Sequence, residues 1–128
     1  MISKNKLTVK KLKKISRGIL HVKTSFNNTI VCVTDMKGNV ISWASSGSCG
    51  FKGSRKSTTF SAQTSAETCM KKAIEVGIKQ IDINLSGSGS GREMVIRSIQ
   101  NLGVFINCIK DITPLPHNGC RPTKKRRI

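Results

Sequence analysis

The sequence predicts a single α/β domain, with a mixed five-stranded sheet and flanking helices, that carries a basic tail at each end. Its 128 residues are a usual length for one domain with one modest hydrophobic core. Five segments are typical of strands, by alternation of apolar residues in some and by a β-branched run in another, and apolar residues recur at helix spacing in two others. Charge divides the chain into a basic arm (residues 1–17), a core domain (18–112) and an extended basic tail (113–128).

The first half of the core predicts an antiparallel meander of three strands. Residues 18–24 alternate imperfectly, and residues 29–34 form a β-branched run typical of a strand. Residues 25–28 contain two asparagines, which tolerate turn conformations, and residues 36–39 predict a second turn. A third strand is expected over residues 40–44.

Two helices and two more strands are expected in the second half. Apolar residues three and four apart predict a helix from about Thr59 to Val76, ended by Gly77. A strand over 80–85 precedes a second helix from Arg92 to about Asn101, and a last strand covers 104–112. The resulting order, βββαβαβ, implies a mixed sheet covered by helices.

The positive charge is concentrated at the two ends of the chain. The sequence has 23 Lys and Arg against 6 Asp and Glu, a net charge of +17, and residues 1–17 and 121–128 contain no acid. Repulsion among these positive charges favours a polyanionic partner. Blocks of Lys and Arg bind nucleic acid because each neutralised phosphate releases counterions. An anionic membrane is the alternative, but neither end interleaves the large apolar residues of an interfacial helix. We therefore expect a nucleic-acid partner and no membrane partner.

Other classes of protein are not favoured. No apolar run approaches the roughly 18 to 20 residues of a membrane-spanning helix. The N-terminus does not resemble a secretory signal, and we interpret residues 1–17 as mature protein rather than an organellar presequence because they contain few serines and run into the first strand. The five cysteines lack CxxC spacing, so neither a disulfide framework nor a metal site is expected, and no cofactor is expected.

The sequence does not predict an enzyme. It contains no Tyr, and no Ser, His and Asp are recognisably assembled for nucleophilic attack. Asp35, Asp82 and Asp111 lie in or beside predicted strands, so spacing alone leaves open a carboxylate cluster that binds metal ions, as a nuclease would need. Isolated acids on a basic domain more often form local ion pairs.

Two glycine-rich loops are candidate binding segments. Residues 50–58 combine a flexible backbone, three cations and hydroxyls, which suit phosphate and 2′-hydroxyl contacts. Phe51 in this loop would either stack on a base or fill the core beneath it. Residues 87–91 contain three glycines before the second helix, without the spacing of a dinucleotide fingerprint or a P-loop. Their amides could approach an anion at the helix N-terminus, with Arg92 adding charge, or the segment could be a flexible connection.

The C-terminal segment is built as a stiff cationic extension. Pro114, Pro116 and Pro122 favour an extended chain, and Asn118-Gly119 predicts a tight turn. A segment of this kind can thread a crevice in folded RNA, which a helix would not fit.

Four stretches together resemble the universal small-subunit ribosomal protein eleven family, in its bacterial and organellar branch. They are Ser25-Phe26-Asn27-Asn28-Thr29-Ile30-Val31, Gly50-Phe51-Lys52-Gly53-Ser54-Arg55-Lys56-Ser57-Thr58, Gly87 to Glu93, and Asp111 to Arg127. The resemblance implies a three-layer arrangement related to ribonuclease H and a structural role on the platform of the small subunit. It also implies binding to small-subunit rRNA near the exit-site messenger RNA, beside the platform proteins of the seven and eighteen families, and no homo-oligomer.

The resemblance also implies which residues contact rRNA, to which we add lysines of the N-terminal arm. The predicted contacts are Lys10, Lys11, Lys13, Lys14, Asn27, Asn28, Lys52, Arg55, Lys56, Gly87, Gly89, Gly91, Arg92, His117, Asn118, Arg121, Lys124, Lys125, Arg126 and Arg127. Ser88, Thr59 and Thr123 stand where prolines are common in the family, which predicts lower rigidity but no loss of charge.

Compartment and specificity are the remaining expectations. Cys49 within Gly47-Ser48-Cys49-Gly50-Phe51 resembles plastid members, and an apparent lack of presequence suits a protein made inside the organelle. A plastid is therefore our first expectation, followed by bacterial cytoplasm and then a mitochondrion. The alternative function is a non-specific RNA chaperone or compaction protein, which would bind any RNA of similar length equally well.

Overall fold

A computed structural model describes residues 16–125 as one α/β domain with five strands and two α-helices. The strands are β1 (Arg17–Thr24), β2 (Thr29–Thr34), β3 (Val40–Ser45), β4 (Gln80–Ser86) and β5 (Phe105–Asp111). The helices are α1 (Thr59–Val76) and α2 (Arg92–Asn101), and a short 3-10 helix, Gly53–Ser57, precedes α1. The predicted order of elements is confirmed, and each predicted boundary lies within one residue of the observed one.

The strands form one mixed sheet in the order β3-β2-β1-β4-β5. Strands β1, β2 and β3 pair antiparallel, which confirms the predicted meander. Strand β4 lies parallel to β1, and β5 lies parallel to β4. Parallel neighbours need a crossover connection, and α1 and α2 provide it. The predicted mixed five-stranded sheet is thus confirmed.

The hydrophobic core lies between one face of this sheet and both helices. Leu20 on β1 is opposite Val33 on β2 and Ile83 on β4, and all three side chains are fully buried. Val95 and Ile99 of α2 are buried in the same cluster. Alternation at period two therefore directs the apolar side chains of each central strand to the helices.

Both helices lie on the same face of the sheet and pack against each other. Within residues 16–125 no helix covers the opposite face, where Ile19, His21 and Cys32 are only half-buried. The described part of the chain therefore has two layers, one of sheet and one of helices. The third layer implied by the resemblance is not found in it.

Small residues let α1 approach the sheet closely. Ala62, Ala66 and Ala73 are fully buried along one side of the helix, whereas Ile74 at its C-terminal end is 38% exposed. The hydroxyl of Thr58 accepts a hydrogen bond from the Ser61 N–H and caps the helix N-terminus. The predicted stop at Gly77 is confirmed by its left-handed φ of 110°.

The connections of the sheet are divided between its two ends. The carboxyl ends of β1, β3, β4 and β5 lie together, because these four strands run in the same direction. We call this the loop end of the sheet; both helices begin there. Its connections are the β1–β2 turn, the segment from β3 to α1, the segment from β4 to α2 and the chain that follows β5.

Candidate nucleic-acid interface

Hydrogen bonds join the connections at the loop end into one surface. The N–H of Ser46 donates to the carbonyl of Thr29 at 3.0 Å, which ties the segment after β3 to the start of β2. The hydroxyl of Ser90 donates to the carbonyl of Ser57 at 3.3 Å, which links the two glycine-rich loops. The N–H of Ile112 donates to the Leu85 carbonyl and holds the beginning of the tail at the same end of the sheet. Segments remote in sequence therefore form a continuous surface.

The β1–β2 turn is held rigid by its own side chains. The Ser25 hydroxyl accepts the N–H of Asn28 at 3.1 Å and the N–H of Asn27 at 3.4 Å. The side-chain oxygen of Asn28 accepts the N–H of Thr29 at 2.9 Å. Asn27 is exposed, Asn28 is half-buried, and Phe26 between the turn residues is 83% exposed. The turn predicted from its asparagines is confirmed, and it projects a phenylalanine into solvent.

The segment from β3 to α1 presents cations around an aromatic pair. Lys52 and Arg55 are exposed and Lys56 is half-buried. Phe51 packs edge-on against Phe60, with ring centroids 5.9 Å apart and an interplanar angle of 82°. Phe51 is half-buried in this contact, while Phe60, in the first turn of α1, remains 64% exposed.

The glycines between β4 and α2 are required by close packing inside the protein. A Cβ on Gly87 would overlap the carbonyl oxygen of Thr24, and one on Gly91 would overlap the Cβ of Ala62. A Cβ on Gly89 would lie 2.7 Å from the Cβ of Thr24. The absence of side chains thus lets this loop press against β1 and α1.

Two of the amides in this loop are engaged within the protein. The N–H of Gly89 donates to the Thr24 hydroxyl at 3.0 Å, and the N–H of Gly87 donates to the Thr113 hydroxyl at 3.1 Å. These two amides are therefore not free for an anion, unlike the arrangement suggested by the sequence. If Gly87 and Gly89 contact rRNA as predicted, they do so through atoms other than these two N–H groups.

Arg92 is anchored at the start of α2 by an ion pair with Asp111. Its guanidinium lies 2.8 Å from the Asp111 carboxylate, and both the hydroxyl and the N–H of Thr113 donate to the same carboxylate. The Thr113 hydroxyl, followed by Arg92, lowers the pKa of Asp111 from 3.8 to about 2. This network joins α2 to the first residues of the tail.

We predict that this network weakens in acid. Because the folded-state pKa of Asp111 is depressed, its contribution to stability is present above about pH 4 and is lost as pH falls toward about 2. Replacement of Thr113 by Val and replacement of Arg92 by Gln should each raise the pKa of Asp111, because the hydroxyl and the guanidinium both lower it. Carbon-13 NMR titration of the carboxyl group measures both shifts; an unchanged pKa in either variant would contradict the assignment.

The tail leaves the loop end in an extended and exposed conformation. Residues 114–125 are exposed throughout, including His117, Arg121, Lys124 and Lys125. Asn118 has a φ of 66°, which confirms the turn expected at Asn118-Gly119. The remaining predicted contacts lie outside the described residues. They are Lys10, Lys11, Lys13, Lys14, Arg126 and Arg127.

The three aspartates considered for a metal site do not converge. Asp35 accepts hydrogen bonds from Asn39 in the β2–β3 turn, at the end of the sheet opposite the loops. Asp82 pairs with Arg17 at 3.2 Å, and Asp111 pairs with Arg92. Among residues 16–125, no group of three or more His, Cys, Asp or Glu is placed to bind a metal ion. In the same part of the chain, no helix has the length and apolar character to span a membrane.

Phe26 and Phe60 are the site residues that sequence reasoning missed. Among the large hydrophobic residues of the described chain, Phe26 at 83% and Leu115 at 82% are the most exposed, and Phe60 follows at 64%. All three belong to the loop end or to the chain leaving it. A phenylalanine in a four-residue polar turn was an available signal for Phe26, because such a turn offers it no core to enter.

Comparison with known proteins places the chain in a family. The profile of the family described as Ribosomal protein S11 matches residues 18–127. The small ribosomal subunit protein uS11c of Euglena gracilis is 53% identical over 129 residues, which cover 100% of both chains. That of Mesostigma viride is 56% identical, with 96% of this chain and 95% of the relative covered. The protein uS11 of Janthinobacterium sp. (strain Marseille) is 58% identical, with 93% and 90% covered.

These matches extend over the core, the loop end and the tail alike. Family members are structural components of the ribosome rather than enzymes. The resemblance noted in the sequence is thereby confirmed, and the chain belongs to the ribosomal protein S11 family.

Proposed function

We propose that this chain is a structural component of the small ribosomal subunit that binds small-subunit rRNA through its loop end and its basic tails. The observation that carries the proposal is the convergence, at one end of the sheet, of those predicted contact segments that lie within residues 16–125. Lys52 and Arg55 are exposed there, while Asp111, one of the nearby acids, is neutralised by Arg92. The result is a cationic surface that a phosphate backbone can follow.

The location within the subunit is a finer part of the proposal. We place the chain on the platform, near the exit-site messenger RNA and beside proteins of the seven and eighteen families, as a single copy. The resemblance of its contact segments to the family supports this placement, and the net charge of +17 disfavours pairing of two copies. We propose a plastid ribosome, since several relatives are named uS11c, the chloroplast type. A bacterial relative at 58% identity keeps bacterial cytoplasm as the second choice, ahead of a mitochondrion.

The proposal is tested by sedimentation of a cell extract through a sucrose gradient after a high-salt wash. A built-in component remains stoichiometric in the small-subunit peak, because contacts buried in folded RNA resist returning counterions. Movement of the chain to the top of the gradient would contradict the proposal and would favour the chaperone alternative.

Removal of positive charge from the loop end, compared with removal of the same charge elsewhere, tests the proposed surface. The variant Lys52→Gln with Arg55→Gln should lower the slope of log affinity against log salt by about 1.5 units, at about 0.7 to 0.9 for each lost phosphate contact. The matched control, Lys71→Gln with Lys72→Gln, removes the same charge from the C-terminal half of α1, away from the loop end, where both lysines are exposed. Filter binding to a small-subunit rRNA transcript measures both slopes. Equal changes in the two variants would mean that only net charge matters.

A further inference from the structure

We infer that the loop end recognises unpaired RNA bases, through stacking on Phe26 and Phe60, and not only the phosphates of paired RNA. This inference rests on the proposed function and specifies the class of RNA that the surface takes. Its starting point is the position of these two rings, which are exposed at the same end of the sheet as Lys52 and Arg55.

Phe26 is held in solvent by a turn that cannot readily turn it inward. The turn is fixed by the Ser25 hydroxyl, which accepts two backbone N–H groups, and by the N–H of Ser25, which donates to the Asn28 carbonyl at 2.9 Å. Exposure of 83% leaves most of the ring available. Because the turn backbone is already fixed and the Phe26 side chain has only two torsions, stacking of a base on the ring costs little conformational entropy.

Phe60 contacts one aromatic ring of the protein and is otherwise largely exposed to solvent. Phe51 packs edge-on against it, with ring centroids 5.9 Å apart, and leaves 64% of the Phe60 side chain exposed. Lys52 and Arg55 lie in the same segment and supply charge for the phosphates on either side of a stacked base. Phe60 thus combines the two elements of single-strand recognition, an aromatic platform and adjacent cations.

Paired RNA would not use these rings. Bases in an A-form helix are stacked on one another, and its deep major groove is closed to side chains. Stacking requires a base that has left the helix, as in a loop, a bulge or a junction. The cationic character of the surface favours RNA over an apolar protein partner, because the same end of the sheet carries the exposed Lys52 and Arg55.

The test compares affinities of the full chain and its variants for a bacterial small-subunit rRNA transcript and for a perfectly paired RNA duplex. Phe26→Ala should weaken binding to the transcript about 5- to 100-fold and leave binding to the duplex unchanged. Phe60→Leu, which retains apolar volume but removes the aromatic face, should also weaken transcript binding. Phe105→Ala is the matched control, because this ring is 63% exposed at the opposite end of the sheet.

A second readout identifies the contact directly. Ultraviolet irradiation of the complex with the transcript should cross-link Phe26 or Phe60 to nucleotides that chemical probing of the free RNA reports as unpaired. Unchanged affinity in Phe26→Ala and Phe60→Leu, equal loss for transcript and duplex, or cross-links only to paired nucleotides would each overturn the inference. If the wild-type chain did not bind the transcript at all, the proposed function would fail as well, so the two failures are distinguishable.

Discussion

Removal of residues 117–128 is expected to weaken binding to small-subunit rRNA by roughly 100-fold or more at about 0.1 M salt and to prevent stable incorporation into the subunit. This segment includes five cations and no acid over residues 121–128. The core should remain folded, because residues 114–125 are exposed and contribute nothing to the hydrophobic cluster. Affinity measured over a range of salt concentrations, with urea unfolding as a check on the core, tests both statements.

Two companion variants separate charge from stiffness in the tail. Replacement of the five cations by Gln keeps the prolines and should lose nearly as much affinity as the truncation. Replacement of Pro114, Pro116 and Pro122 by Ala keeps the charge, and its smaller loss would measure the cost of ordering a flexible tail. If the truncated chain bound and assembled like the full one, our account of the tail would be wrong.

The substitution Gly87→Ala is expected to destabilise the fold by about 3 kcal/mol or more, a large part of the roughly 5 to 15 kcal/mol that stabilise a typical domain. The φ of Gly87 is 94°, and an added Cβ would overlap the carbonyl oxygen of Thr24. The chain would have to give up both a left-handed conformation and the close approach of the loop to β1. Urea unfolding, followed by the fluorescence of Trp43, the single tryptophan, measures the loss.

Gly103→Ala is the matched control for backbone strain. Gly103 has a φ of 80°, but an added Cβ would have no heavy atom within 4 Å. Its substitution should therefore cost only the strain of a left-handed backbone conformation, about 1 to 2 kcal/mol. A Gly87→Ala variant as stable as Gly103→Ala would mean that the loop can move away from Thr24 without penalty.

Local pattern was sufficient to predict most of the fold. Apolar spacing and Gly77 located α1, because helix formation and termination depend on residues within one or two turns. The exposure of Ile74 was harder to predict from the sequence, because this apolar residue fits the helical pattern. Only the packing of the whole helix decides which of its sides is covered. The lack of a helix on the second face of the sheet, within residues 16–125, likewise depends on how the elements assemble and not on any local pattern.

The candidate site was predicted in composition but not in its internal contacts. The loops around Lys52 and Gly89 were identified from glycine and charge. The partners of those glycines, Thr24 and Ala62, lie far away in sequence, and no local signal points to them. The same reason explains why amides that were expected to face an anion are instead bonded to hydroxyl groups of the protein.

The network of Arg92, Asp111 and Thr113 fixes the point at which the tail leaves the protein. Once the loop end has bound RNA, a cationic tail tethered at this point stays within a small volume around the loop end. Its effective local concentration is then on the order of millimolar, as for two binding modules joined by a short linker. Contacts of the tail whose dissociation constants lie well below this concentration would then be nearly saturated. Loop end and tail would therefore act as a bivalent ligand, and release of the chain would require both to dissociate together.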